Sequence, residues 1–214
     1  MWRVAGDAPA AVRALQEALE LCQDLGNRLG QAYALINLGI VWRVAGDTLA
    51  AVRALQEALE LCRDIGDAVG EANALIYLGV VWRVVGDFPA AAQAFQEAVA
   101  LYRSLRDRGG EVEALNETGT LHRITGDLDN ARLYHQQALD LARQIGSPWD
   151  QAHALAGLGR CDLAAGHARE ATARLQEALM IFQRIGASDG SGGSRRTTNI
   201  PLTSTLRWPA PGFL

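Results

Sequence analysis

The 214-residue chain contains no lysine; all twenty of its basic residues are arginine. Against twenty-four acidic residues they leave a formal charge of −4. The segment from Ala187 carries Arg195, Arg196 and Arg207 against Asp189 alone, so the remainder stands near −6. Arginines dispersed over an acidic background exclude the clustered footprint of a nucleic-acid-binding surface, and the missing lysine reads as the codon bias of a GC-rich genome. Cysteine is scarce as well. Cys22, Cys62 and Cys161 are an odd number without paired local spacing, which supports neither a disulfide framework nor a metal site. They read as buried reduced thiols acting as small hydrophobes. No run of eighteen apolar residues is present, so no membrane partner is expected. Met1–Asp7 lacks the basic-then-apolar layout of a secretory signal, leaving the cytoplasm as the expected location.

What the chain has in quantity is copies of itself. AVRALQEALELC occurs unchanged at Ala11–Cys22 and at Ala51–Cys62, a step of forty residues. Stacked at that period, Gly6, Gly46, Gly86, Gly126 and Gly166 share a column, followed by Asp7, Asp47, Asp87, Asp127 and His167. Glycine after a periodic run tolerates the left-handed turn that ends a helix, and the following aspartate can accept the orphan amides opening the next. Each pair predicts a tight helix–turn–helix corner. A second set of stops follows at Gly26, Gly66, Gly146 and Gly186, with Arg106 breaking the column, and caps at Asn27, Asp67, Asp107 and Ser147.

Between these signals the apolar residues recur at three- and four-residue steps, the pattern of an amphipathic helix. First-type helices are predicted over 28–45, 68–85, 108–125 and 148–165, after a truncated one at 1–5. Second-type helices are predicted to start near Ala8, Thr48, Phe88, Leu128 and Ala168. The expected fold is all-α: a right-handed α-solenoid of antiparallel helix pairs, about four and a half repeats over 1–186. From Ala187 the period stops, and the Gly/Ser/Pro-rich composition of 187–214 predicts a disordered tail. Trp208, Phe213 and Leu214 could instead fold back over the last helix. The missing first-type helix at the start, and the uncovered Leu175, Leu179 and Phe182 at the end, read as signs of a piece of a longer protein.

Leu38-Gly39, Trp42, Gly46, Ala51, Leu55 and Ala58 have the order and spacing of the tetratricopeptide repeat, which the chain resembles over 1–186. The same slots hold Leu78-Gly79, Trp82, Gly86, Ala91, Phe95 and Ala98, then in part Leu158-Gly159, Gly166, Ala171, Leu175 and Ala178. The fourth repeat is degenerate, with His122 and His135 in the aromatic and large apolar slots. The mid-helix glycines each cost about 1 kcal/mol relative to alanine, tolerable where another helix approaches the backbone closely. The period exceeds the common thirty-four or so residues of this motif. In that respect the array is similar to those of kinesin light chains and spindle-orientation adaptors, and more so to the C-terminal arrays of bacterial signal-transduction ATPases and transcription regulators. The resemblance implies a non-catalytic protein–protein interaction scaffold that takes a peptide or protein segment on its concave face. Alternatively, it implies a C-terminal sensor segment of a larger NTPase-type regulator whose further domains are its partners. It supplies no cofactor.

By the motif's geometry the partner-binding positions are Tyr33, Asn37, Ile40 and Arg43 with their counterparts Asn73, Tyr77, Val80 and Arg83. Asn116, Thr120 and Arg123 follow in the fourth repeat, and His153 and Arg160 in the fifth. Ile36, Ile76, Glu113, Glu117, Ala156, Gly157 and Leu163 complete these groove sets. The asparagines do not share one column, so a ladder gripping a peptide backbone is not expected. Arg3, Arg43, Arg83 and Arg123 do share one, and could hold the carboxylates of an acidic peptide. The competing reading pairs each with the aspartate four residues on. His122 and His135 read as an interior pair, since two ligands without a cysteine or carboxylate at suitable spacing make no zinc site. Gly157-Leu158-Gly159 belongs to a helix and is no phosphate loop. No nucleophile–base constellation appears, so no catalytic residue is assigned.

Overall fold

The structure, a computed structural model, describes residues 3–190, with side chains over 8–186. The described residues form helices without strands: α1 (Arg3–Asp24), α2 (Arg28–Ala45), α3 (Thr48–Ile65), α4 (Ala68–Val85), α5 (Phe88–Leu105), α6 (Arg108–Ile124), α7 (Leu128–Gln144), α8 (Pro148–Ala164) and α9 (Ala168–Gly190). The corners are built as their chemistry requires. Asp47, Asp87 and Asp127 each accept the amide three residues on through Oδ1, at 3.0, 3.1 and 3.2 Å. The preceding glycines adopt the left-handed conformation, as Gly46 does at φ 86°. Arg106 takes the same conformation at φ 56°, so the broken glycine column leaves the turn intact.

Two corners differ from the sequence expectation. Gly6-Asp7 forms no turn, because α1 runs unbroken from Arg3 to Asp24. Only three described residues precede Gly6, too few to make an antiparallel partner, and continuing a helix through one glycine costs only about 1 kcal/mol. Likewise α9 continues through Gly186 to Gly190. Residues 187–190 are therefore helical; the rest of the expected disordered tail, and the fold-back of Trp208, Phe213 and Leu214, lie outside the described residues.

Sequential helices pack as antiparallel neighbours along the whole array. In addition α2 touches α4, α4 touches α6 and α6 touches α8, whereas α3, α5, α7 and α9 make no such mutual contact among the described residues. The first-type helices therefore form the inner, concave layer of a right-handed solenoid. The mid-helix glycines set the spacing. A Cβ on Gly39 would lie 2.4 Å from Leu55, and one on Gly79 would lie 2.5 Å from Phe95. The large apolar side chain of each second-type helix is thus seated on the bare backbone of its partner. α4 is apolar enough, at a mean hydropathy of 1.3, to match a membrane span by length and composition. Its packing against α2, α3, α5 and α6 accounts for that composition. Burial follows neighbours as well as sequence: Ala51, Leu55, Ala58 and Cys62 are fully buried between α2 and α4, whereas the identical Ala11, Leu15, Ala18 and Cys22 of α1 are half-buried or exposed.

Candidate functional site: the concave face

The sequence-derived columns divide into two groups in the structure. Tyr33, Asn73 and His153 turn toward the second helix of their own pair. Tyr33 lies beside Asp67 and Cys62, and burial followed by the Asp67 charge pushes its phenol up to about 12. The Asn73 Oδ1 accepts a 2.8 Å hydrogen bond from the Tyr102 hydroxyl. His153 packs edge-on against Phe182 and beside Trp149, with ring centroids 5.1 and 4.8 Å away. These half-buried side chains pack along seams within helix pairs. Ile36, Ile40, Ile76 and Ala156 are buried and line the floor of the groove at most.

The second group is half-exposed on the inner layer: Asn37, Arg43, Tyr77, Val80, Arg83, Asn116, Thr120, Arg123 and Arg160. Asn37 donates to the Tyr33 carbonyl at 2.9 Å, and Thr120 donates to the Asn116 carbonyl at 2.9 Å, so both satisfy their own helix. Asn116 accepts from His135 Nδ1 at 3.1 Å. None of the three asparagines is free to form a ladder.

The arginine column departs from the local pairing. Asp47, Asp87 and Asp127 cap the next helix, and no Arg–Asp pair forms at Arg43, Arg83 or Arg123 among the described residues. Arg83 instead reaches across to α6, where Nη2 meets Glu117 Oε2 at 2.8 Å. Arg43 lies in the electrostatic reach of Glu117 and Tyr77. Burial lowers its pKa, Glu117 partly restores it, and the like charge of Arg83 lowers it further. Arg83 thus meets the next repeat's member of the column Asn37, Tyr77, Glu117, Gly157.

The two histidines separate. His122 pairs with Asp127 at 3.1 Å and stacks on Tyr134, while His135 runs inward from α7. Its ring is 2% exposed and lies against both Gly119 and Gly157; a Cβ on Gly157 would come within 2.4 Å of it. Burial, and then Arg123 and Arg160, hold the imidazole down to about 4, so it is neutral at pH 7. The hydrogen bond to Asn116 places the proton on Nδ1. Substituting histidine in the large apolar column, together with Gly157 where earlier repeats carry Tyr77 and Glu117, was the sequence signal of this arrangement, and column reading by residue class alone passed over it. No group of histidines, cysteines and carboxylates among the described residues could hold a metal ion. Cys62 and Cys161 are buried free thiols, and burial pushes Cys62 up to about 11. An open pocket of about 550 Å³ lies elsewhere, between α7, α8 and α9. Its buried carboxylate is already matched: Asp162 pairs with Arg132 at 3.1 Å and with Arg174, and Arg132 also meets His167 at 3.1 Å.

Paired helices in register, glycine-seated cores and an inner layer of first-type helices define a tetratricopeptide solenoid. Within that class the chain belongs to the MalT-like tetratricopeptide-repeat region family, whose model matches residues 2–188. Solved structures are similar in fold. BtubC (BKLC) from P. vanneervenii superposes with a TM-score of 0.72 at 21% identity, covering 91% of this chain and 80% of that one. The Pyrococcus horikoshii signal-transduction ATPase PH0952, described as having a tetratricopeptide-repeat sensor, gives 0.66 at 16% identity over 85% of this chain and 29% of that one. A Rap protein complexed with Competence and Sporulation Factor gives 0.66 at 18% identity over 73% of this chain and 44% of that one. No curated protein matches the chain.

Proposed function

We propose that the array is a non-catalytic cytoplasmic scaffold whose concave face takes an extended segment of a partner protein. One observation carries the reading. The inner helices α2, α4, α6 and α8 present a continuous row of half-exposed side chains, Arg43, Tyr77, Arg83, Thr120, Arg123 and Arg160, over a buried apolar floor. A row of this kind engages a partner through many modest contacts spread along a groove, a mode suited to an extended chain. The Rap protein solved with a bound factor is a neighbour in fold, which agrees with it. Selecting peptides on the array from a displayed random library tests the proposal. Selected peptides should lose binding to an Arg43→Glu, Arg83→Glu double variant and to Tyr77→Ala, and keep it to Arg53→Glu on the outer helix α3. Peptides indifferent to the concave changes and lost with the outer one would overturn it.

A second reading, a sensor segment of a larger NTPase-type regulator, draws support from the MalT-like family and from the neighbour described as an ATPase with a repeat sensor. On this reading the same face receives the signal, and partner binding alters an activity on further domains. Joining the array to a nucleotide-hydrolysing domain encoded with it, and measuring hydrolysis with and without a selected peptide, tests it. A rate unchanged by saturating peptide would argue against it.

A further inference from the structure

The pocket between α7, α8 and α9 is where the repeats stop matching one another. At the forty-residue step, the same place holds Val12, Trp42 and Ala54 between α1, α2 and α3, and Val52, Trp82 and Ala94 between α3, α4 and α5. Both indoles pack on the apolar core. Between α5, α6 and α7 it holds Ala92, His122 and Tyr134, whose two rings stack. Between α7, α8 and α9 the set is Arg132, Asp162 and Arg174, and His167 replaces the capping aspartate of the corner. Where an indole fills the place in two other repeats, an open pocket of about 550 Å³ is left here, with Leu133 and Leu158 as its apolar lining. Leu158 and Asp162 lie on the face of α8 turned away from Ala156 and Arg160, so the pocket is separate from the concave groove.

The Asp162 side chain is 5% exposed, and both arginines converge on it: Arg132 Nη2 meets Oδ1 at 3.1 Å, and Arg174 Nη1 meets Oδ2. Burying such a cluster in place of a packed indole gains nothing for a merely structural seam, because desolvation offsets the attraction. The cluster is also unbalanced, with two guanidinium groups on one carboxylate. Arg132 Nη1 and Arg174 Nη2 carry no hydrogen bond among the described residues. His167 spends Nδ1 on Arg132 at 3.1 Å, so it cannot accept from the opening amides of α9 as Asp47, Asp87 and Asp127 do for their helices. The positive end of the α9 dipole therefore adds to the excess of positive charge. Asp129, at the rim, weighs against a ligand with more than one negative charge.

We infer that this pocket binds a small monocarboxylate with a flat apolar body. Its carboxylate takes the free guanidinium nitrogens of Arg132 and Arg174, and its body lies against Leu133 and Leu158 in the place of the missing indole. The site stands independently of the concave-face reading.

The probe is β-naphthoate, followed by ligand-observed nuclear magnetic resonance with the full chain. Its dissociation constant should be about 1 mM or lower, the scale for a ligand of this size. Arg174→Gln, which leaves Asp162 paired with Arg132, should weaken binding by about ten-fold, as for a lost charge-assisted hydrogen bond. The neutral β-naphthamide should bind the wild-type chain more weakly by a similar factor. Arg53→Gln, which removes an equal charge from α3, should leave binding within about two-fold. The triple variant Arg132→Val, Asp162→Trp, Arg174→Ala rebuilds the set that already packs at Val52, Trp82 and Ala94. It should melt no lower than the wild-type chain and bind no probe, which separates loss of the site from loss of the fold. No saturable binding by the wild-type chain, undiminished binding by Arg174→Gln or by the triple variant, equal loss in Arg53→Gln, or equal binding of the amide overturns the inference. Displacement of the probe by inorganic phosphate at equal concentration would overturn the assignment to an apolar carboxylate.

Discussion

Arg106 stands in the left-handed conformation at φ 56° that its column otherwise gives to glycine, and a side chain there costs about 1–2 kcal/mol. Arg106→Gly should relieve that strain at the expense of a freer unfolded chain, for a net gain of about 0.5–1 kcal/mol. A higher midpoint in thermal denaturation checks it, and an unchanged or lower one contradicts it. His135 gives a pH dependence of definite sign. Its folded pKa is about 4 against the usual 6.5, so between these values the unfolded chain binds a proton that the folded chain refuses. Stability from this group is whole above pH 6.5 and drains away as pH falls toward 4, amounting to about 2 kcal/mol lost by pH 5. The charged groups facing it, Arg123 of α6 and Arg160 of α8, both act in the same direction. Replacing it by the leucine that its column carries at Leu55 and Leu175 should flatten the fall in denaturation midpoint between pH 7 and pH 5. The residue scale is also where the sequence was hardest to read. Arg43, Arg83 and Arg123 form a visible column, but whether they turn to the aspartate four residues on or to the next repeat depends on which acceptors are already spent. Asp47, Asp87 and Asp127 each commit Oδ1 to a cap, and Asp127 gives its other oxygen to His122 and Asn130. That competition is three-dimensional and leaves no periodic trace.

At the scale of the helix, boundaries follow from caps and stops. α2 and α4 end where the sequence predicts, and α6 and α8 end one residue earlier, because Gly-Asp corners combine a left-handed turn with an amide acceptor. The corners at Gly6 and Gly186 did not form, and the reason is equally physical: a helix stop is only a permission, and packing against a returning helix makes use of it. The glycine seats carry the strongest element-level expectation. In Gly79→Ala the new methyl meets Phe95 at 2.5 Å, and overpacking of this kind destabilises by about 1–3 kcal/mol. Trimming the ring in a Gly79→Ala, Phe95→Leu double variant should recover part of the loss, which urea denaturation of the four-member cycle would show. Simple addition of the two losses would mean that the contact does not couple α4 to α5.

For the molecule as a whole, each helix is stabilised by its neighbours, so protection against hydrogen exchange should be graded. Among the described residues α1 packs on α2 alone and α9 on α8 alone, whereas α4 and α6 each have four neighbours. Exchange followed by mass spectrometry should therefore reach α1 and α9 first and α4 and α6 last. Uniform rates along the array would instead indicate a single cooperative unit.

The paired identical segments of α1 and α3 have a consequence beyond stability. Recombination between the stretches encoding Ala11–Cys22 and Ala51–Cys62 would insert or delete one forty-residue step and leave every remaining interface with its accustomed partner. Array length is thus a heritable variable, adjustable in whole repeats. A lineage carrying this chain could change the reach of its groove in a single genetic event, while the later helices α4–α9 kept their sequence.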